Sequence, residues 1–277
     1  MRYDRRMPEL PEVETARRGI TPHLIGRRID RLIVREHRFR LPIPSDLPKI
    51  LQGRVIENVR RRGKYLLINV SGGTLILHLG MSGSLRVVPH ERPPERHDHV
   101  DLVLPEGVAL RFTDPRRFGL LVWTTEDPLK HSLLAHLGPE PLDPEWDGMA
   151  LWSVAKGRQV AIKGLLMDAR IVVGVGNIYA NEVLFMAGIH PTRPAGRIAA
   201  ARYTRLADAV KDVLKQAIEQ GGTTLRDFVA EDGRPGYFSQ SLRVYGRSGM
   251  PCLSCGGAIR EIRQLGRATY YCPYCQR

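Results

Sequence analysis

The chain has 277 residues, and its 42 lysines and arginines against 29 acidic residues give a formal net charge of +13 and a pI near 10.0. Such an excess is the electrostatic footprint of a polyanion binder. No apolar run approaches the ~20 residues a spanning helix needs, and no apolar leader is present, so membrane-spanning and secreted classes are set aside.

A soluble, cytoplasmic protein with reduced thiols is therefore expected. Arginine outnumbers lysine 35 to 7, which suits bidentate phosphate recognition but follows equally from genome composition. The length predicts two domains and a smaller appendage.

The first element is a short helix after Met7-Pro8-Glu9. Pro11 suits its first turn, Glu12 and Glu14 suit its positive end, and Leu10, Val13, Ala16 and Ile20 form a buried stripe. Seven short runs follow, at 29–34, 65–70, 74–79, 84–88, 100–104, 109–113 and 120–123. Separated by turn residues, they predict an antiparallel sandwich or barrel. After Trp123 the period changes, and helices are expected at 133–137, 151–156, 161–167, 178–187, 199–219 and 225–229. The proline-rich stretch from Gly138 to Pro144 reads as a linker. Expected boundaries are 8–137 for the β domain, 138–147 for the linker, 148–240 for the helical domain and 241–277 for a metal ribbon.

The ribbon rests on Cys252-Leu-Ser-Cys255 and Cys272-Pro-Tyr-Cys275, which use every cysteine in the chain. Two such pairs, sixteen residues apart, have the spacing of a four-thiolate zinc knuckle. Four thiolates leave no open coordination position, so the zinc is structural. Six arginines against one acid, Glu261, between Ser241 and Arg277 turn this piece towards phosphate.

Two motifs carry candidate chemistry. Gly174-Val-Gly-Asn177 opens a helix, where glycine admits close backbone approach and helix amides face an anion; a plain helix cap fits the same residues. A following Gly188-Ile-His-Pro191 turn fits a helix–two-turn–helix. At the start, a Pro8 freed as the terminal residue would titrate near ~8 and could attack a sugar C1′, with Glu9 moving protons beside it.

Taken in order, Met7-Pro-Glu-Leu-Pro-Glu-Val-Glu-Thr15, His78-Leu-Gly-Met-Ser-Gly-Ser84, Thr113-Asp-Pro-Arg-Arg-Phe-Gly119, Gly174-Val-Gly-Asn-Ile-Tyr-Ala180, Gln220-Gly-Gly-Thr-Thr224 and Arg267-Ala-Thr-Tyr-Tyr271 resemble bacterial formamidopyrimidine-DNA glycosylases. The resemblance implies a multi-domain α and β fold. Its parts are an N-terminal antiparallel β-sandwich with a catalytic N-terminal helix, a helix–two-turn–helix domain and a four-cysteine zinc ribbon. It implies excision of 8-oxoguanine and formamidopyrimidines from damaged double-stranded DNA, followed by strand cleavage at the abasic site. One structural zinc, no catalytic metal, a monomer and a bacterial, nucleoid-associated location go with it.

Residue by residue, the resemblance makes Pro8 the nucleophile, Glu9 the general acid/base and Lys64 a catalytic-site lysine that contacts the phosphates around the lesion. His99, Arg117, Lys163, Asn177 and Arg267 become DNA contacts. Met81, Arg116 and Phe118 become the trio that fills the gap left by a flipped nucleotide. Thr223, Thr224 and Tyr237 fall near the loop that covers the extruded base.

One departure stands out: six residues precede Met7. Within a chain, the Pro8 nitrogen is a tertiary amide and cannot form a Schiff base. A start at Met7 is the favoured explanation; processing of the extension, or a protein that binds lesions without cutting, are the others. Rival functions are an endonuclease VIII-type enzyme for oxidised pyrimidines and a sequence-specific zinc-ribbon transcription factor.

Overall fold

Helix α1 spans Leu10–Leu24 in the computed structural model, which describes residues 7–222 and 241–277. Its expected stripe is realised, because Leu10, Val13, Ala16 and Ile20 are fully buried. Pro11 and a capping box start it: Glu12 Oε2 accepts the Glu9 amide N–H at 2.9 Å while the Glu9 side chain meets the amide of Glu12.

The elements that follow are β1 (Arg31–Val34), α2 (Leu47–Leu51), β2 (Ile56–Arg62), β3 (Tyr65–Val70), β4 (Gly73–His78), β5 (Ser84–Pro89), β6 (Asp98–Leu104), β7 (Val108–Thr113) and β8 (Leu120–Thr124). They build two four-stranded antiparallel sheets, ordered β1-β6-β7-β5 and β2-β3-β4-β8. Leu32, Leu102 and Leu110 from one sheet and Ile68, Leu75 and Leu77 from the other share a core with Val13 and Ile20 of α1. These strands, with α1, form the first of two compact units.

The eighth strand, β2, escaped the sequence-based expectation because it reads Ile-Glu-Asn-Val-Arg-Arg-Arg. It is a sheet edge whose Ile56 and Val59 turn inward, so its arginines cost no burial. All seven residues of β6 are buried, since its second face is covered too. There Arg111 forks onto Asp101 with two 2.9 Å bonds and donates to the carbonyl oxygens of Arg92 and Pro93. Burial resists ionisation of Asp98 and Asp101, but Thr113 and the arginines hold both carboxyls below their ordinary range.

The second unit holds α3 (Gly148–Ala155), α4 (Ile162–Leu166), α5 (Asn177–Met186), α6 (Ala200–Glu219), β9 (Arg260–Gln264) and β10 (Arg267–Tyr271). Helix α6 packs on α3 and α5 through Tyr203, Leu206, Val210, Leu214 and Ala217. Gly148 is required where α3 meets α6, since a Cβ there would stand 2.4 Å from the Thr204 backbone. The helix expected at 133–137 is instead a turn closed by the Leu134 and Ala135 amides on the His131 carbonyl. Five residues before Gly138-Pro139 are too few to propagate a helix. The segment 225–229 lies outside the described residues.

The ribbon belongs to this helical unit. Glu182 of α5 accepts the amide N–H groups of Arg243, Val244 and Tyr245 at 2.8, 3.0 and 2.8 Å. Asn181 Oδ1 accepts the Tyr270 N–H at 2.7 Å. Gln276, 2% exposed, links the Cys272 amide to the Ile189 carbonyl.

Candidate active site and nucleic-acid interface

Pro8 and Glu9 are buried at the N-terminal mouth of α1. Glu12, one turn on, is fully buried, and a Cβ on Gly222 would stand 3.0 Å from its Oε1. Lys64 follows Gly63 in the turn between β2 and β3. Arg61 ties that turn to α1: its Nε reaches Glu14 Oε2 at 3.2 Å and its Nη1 the Gly63 carbonyl at 3.0 Å. Burial opposes the charge on Glu14, but Arg17, Arg18 and Arg61 outweigh it and lower its pKa. Arg61 was not singled out from sequence, although the run Arg60-Arg-Arg-Gly-Lys64 contains it.

His78 closes β4 with its ring 4.7 Å from Tyr65, and its Nδ1 accepts the Gly80 N–H at 2.8 Å. Burial, then the charges of Lys64 and Arg40, push its pKa down to about 4, so it is neutral near pH 7. Burial likewise raises the Tyr65 phenol.

Met81 lies in the β4–β5 loop, and Arg116 and Phe118 in the β7–β8 loop. Asp114 joins the two: its Oδ1 accepts Ser82 Oγ–H at 2.7 Å and its Oδ2 the Gly119 N–H at 2.8 Å. The loops touch so closely that a Cβ on Gly80 would stand 2.4 Å from the Phe118 carbonyl carbon. Phe118 is 45% exposed, with the Arg116 guanidinium 4.7 Å from its ring centroid, so it is not a core residue. Arg117 has φ +57° and pairs with Glu36 at 2.8 Å. Arg38 first, with help from Arg117, holds that carboxyl at about 2.

His99 is buried, with Nε2 3.0 Å from the Asp114 carbonyl oxygen and its ring 5.6 Å from Phe39. That carbonyl belongs to the residue that opens the Arg116–Phe118 turn, so His99, expected as a DNA contact, sits against the base of that turn. The more accessible imidazole is His97, 6.1 Å away.

In the helical unit, three of the singled-out residues meet at one peptide. Lys163 of α4, 2% exposed, places Nζ 3.1 Å from the Ala268 carbonyl oxygen and 2.6 Å from Thr269 Oγ1. Asn177, first residue of α5, donates from Nδ2 to the same carbonyl at 3.1 Å. Exposed Arg267 is the adjacent residue. Asn181, which sequence did not flag, steadies Asn177 by donating to its carbonyl at 2.6 Å. Thr223, Thr224 and Tyr237 lie outside the described residues.

The four cysteine sulfurs lie within 4.8 Å of one another, with Cys252–Cys275 at 3.9 Å and Cys255–Cys272 at 3.5 Å. Four sulfurs at about 2.3 Å from a tetrahedral zinc are separated by about 3.8 Å, so the donor set fits that ion. Burial opposes ionisation of Cys252, but the amide N–H groups of Ser254 and Cys255 bring it to about 7. Burial and the crowded thiols raise Cys275, as expected of donors that need a cation between them.

Three family models match in succession: the formamidopyrimidine-DNA glycosylase N-terminal domain over residues 7–121, the formamidopyrimidine-DNA glycosylase H2TH domain over 137–229, and the zinc finger found in FPG and IleRS over 249–277. A formamidopyrimidine-DNA glycosylase of Methylococcus capsulatus is 61% identical over 271 residues, 98% of this chain and 100% of the relative. One from Pseudomonas aeruginosa is 59% identical with the same coverage. Among solved structures, the MutM (Fpg) protein of Thermus thermophilus superposes with TM-score 0.85 at 40% identity, covering 97% of this chain and 98% of that one. The Lactococcus lactis Fpg, in complex with DNA containing N7-benzyl-Fapy-dG, reaches 0.90 at 34% identity, covering 98% and 100%.

Proposed function

The chain belongs to the formamidopyrimidine-DNA glycosylase family, and from that membership we propose that Pro8 is the nucleophile with which it excises oxidised purines, 8-oxoguanine and formamidopyrimidines, from duplex DNA. The protein is a DNA repair glycosylase with abasic-site lyase activity. The Pro8 amine forms a bond to C1′ as the bond from C1′ to the damaged base breaks. Glu9 gives a proton to the ring oxygen as the sugar opens to an iminium. The iminium acidifies the C2′ proton; its loss expels one phosphate by β-elimination, δ-elimination expels the other, and hydrolysis frees Pro8.

The observation that carries this reading is the placement of Pro8 and Glu9 at the mouth of α1, with the Lys64 turn fixed to the same helix through Arg61 and Glu14. The chemistry needs a free secondary amine, so the acting form begins at Pro8. The family match beginning at residue 7 supports that form. Met81, Arg116 and Phe118 fill the vacated stack, a role supported by the exposure of Phe118 and the Asp114 joint between their loops. Lys163, Asn177 and Arg267 grip the backbone around the Ala268 peptide. The catalytic work falls to residues 8–137 and the grip to 148–240 and 241–277. Zinc, when bound, fixes the ribbon and takes no part in the chemistry. We place the protein in the bacterial cytoplasm as a monomer, on the nucleoid when bound. Among the described residues no helix is long and apolar enough to cross a membrane.

Borohydride trapping on an 8-oxoguanine duplex tests the reading. Protein beginning at Pro8 should give a covalent adduct, and Pro8→Gly or protein retaining residues 1–7 should give none. Absence of an adduct with an authentic Pro8 terminus would sink it and favour a lesion binder.

A further inference from the structure

We propose that Leu265, together with Val160, is an apolar DNA contact that seats a deoxyribose of the backbone beside Arg267; the inference rests on the reading of Arg267 as a phosphate contact. The β9–β10 hairpin turns through two residues, Leu265 and Gly266, because Gln264 and Arg267 are the last paired positions. Both central residues have positive φ, +51° for Leu265 and +73° for Gly266. A turn of this kind favours Asn-Gly or Asp-Gly, and leucine is strained there.

The strain is not offset by burial. Leu265 is 68% exposed, among the most exposed large apolar residues described. Its side chain leans back over α4: a Cβ on Gly164 would stand 3.1 Å from Leu265 Cδ1 and 3.3 Å from Val160 Cγ2. Val160 is itself 41% exposed, so the two form an apolar patch across a bare glycine. Gly164 follows Lys163, whose Nζ meets the Ala268 carbonyl, and Leu265 precedes Arg267 by two residues. The patch therefore continues the candidate phosphate site.

A nucleic-acid backbone alternates charged phosphate with the carbon face of its sugar. Beside a cation that holds a phosphate, the complementary surface is a small apolar one. Leu265 and Val160 supply it, and a residue that served only the turn would not be leucine.

Three variants test the proposal: Leu265→Asn, which suits the turn, Leu265→Met, which keeps the apolar reach, and Arg267→Ala. Binding to undamaged and lesion-bearing duplex is measured across salt concentrations, with zinc content and melting temperature as controls. Leu265→Asn should melt no lower than the parent yet bind both duplexes about tenfold more weakly, with an unchanged salt slope. Leu265→Met should restore binding, and Arg267→Ala should lower the slope by about one. If Leu265→Asn binds like the parent while Arg267→Ala lowers the slope, the leucine contact is wrong and the phosphate reading survives. If neither variant alters binding, both fall. A dimer of the parent that dissociates in Leu265→Asn, with DNA affinity unchanged, would overturn the proposal in favour of a contact between copies.

Discussion

His78 stays neutral because protonating it would bury a charge beside Lys64 and Arg40. The unfolded chain takes up that proton near its ordinary value of about 6.5, the folded chain only near about 4. Between these values the unfolded state binds more protons, so stability falls as pH drops from 6.5 towards 4, by about 3 kcal/mol if the whole shift is realised. Urea midpoints measured from pH 7 to pH 4.5 should fall less steeply in His78→Gln than in the parent; parallel curves would show that His78 is not the group responsible. His99 calls for a second comparison. Removing its ring should cost about 2 kcal/mol, from a buried hydrogen bond and a packed face, whereas His97→Ala should leave the melting temperature unchanged. The two histidines could not be told apart in sequence. Alternation along Asp-His-Val-Asp-Leu-Val-Leu signals one buried face, whereas β6 is covered on both.

At the scale of elements, what was legible depended on whether the signal was local. The cysteine spacing announced the metal site, and the stripe of α1 announced its buried face, because both are set by near neighbours in the chain. The seats of the ribbon were not legible. Asn181 and Glu182 look like ordinary polar residues inside α5 until Tyr270 and the 243–245 amides arrive from far along the chain. Gln276 is equally silent beside Cys275. These links give zinc removal a definite consequence. A chelator should release the ribbon from α5, so that the β9–β10 amides exchange faster and DNA affinity drops by roughly tenfold or more. The unfolding transition of the β-sandwich unit, followed through Trp123, should not move. A sandwich transition that collapsed with the zinc would show that the metal supports more than the ribbon.

For the molecule as a whole, the net charge of +13 does not say which cations meet DNA. Among the described residues at least eleven arginines are paired internally: Arg17, Arg18 and Arg61 on Glu14, Arg35 and Arg111 on Asp101, Arg86 on Asp98, Arg38 and Arg117 on Glu36, Arg27 on Glu106, Arg92 on Glu95 and Arg170 on Asp168. Most of these pairs brace strands and turns of the sandwich. The cations placed at the proposed backbone contacts are fewer: Lys64, Lys163 and Arg267. Each phosphate neutralised contributes about −0.9 to the slope of log affinity against log salt, so three predict a slope of about −3. Were the net charge of +13 to act as a diffuse whole, the slope would lie nearer about −12. Titrating binding to an undamaged duplex between about 50 and about 200 mM salt distinguishes the two, since about −3 costs under about a hundredfold in affinity and about −12 costs roughly ten-millionfold. A steep slope would mean that internally paired arginines such as Arg117 leave their carboxylates on binding. In that case Glu36→Gln should raise affinity by freeing Arg117 in advance.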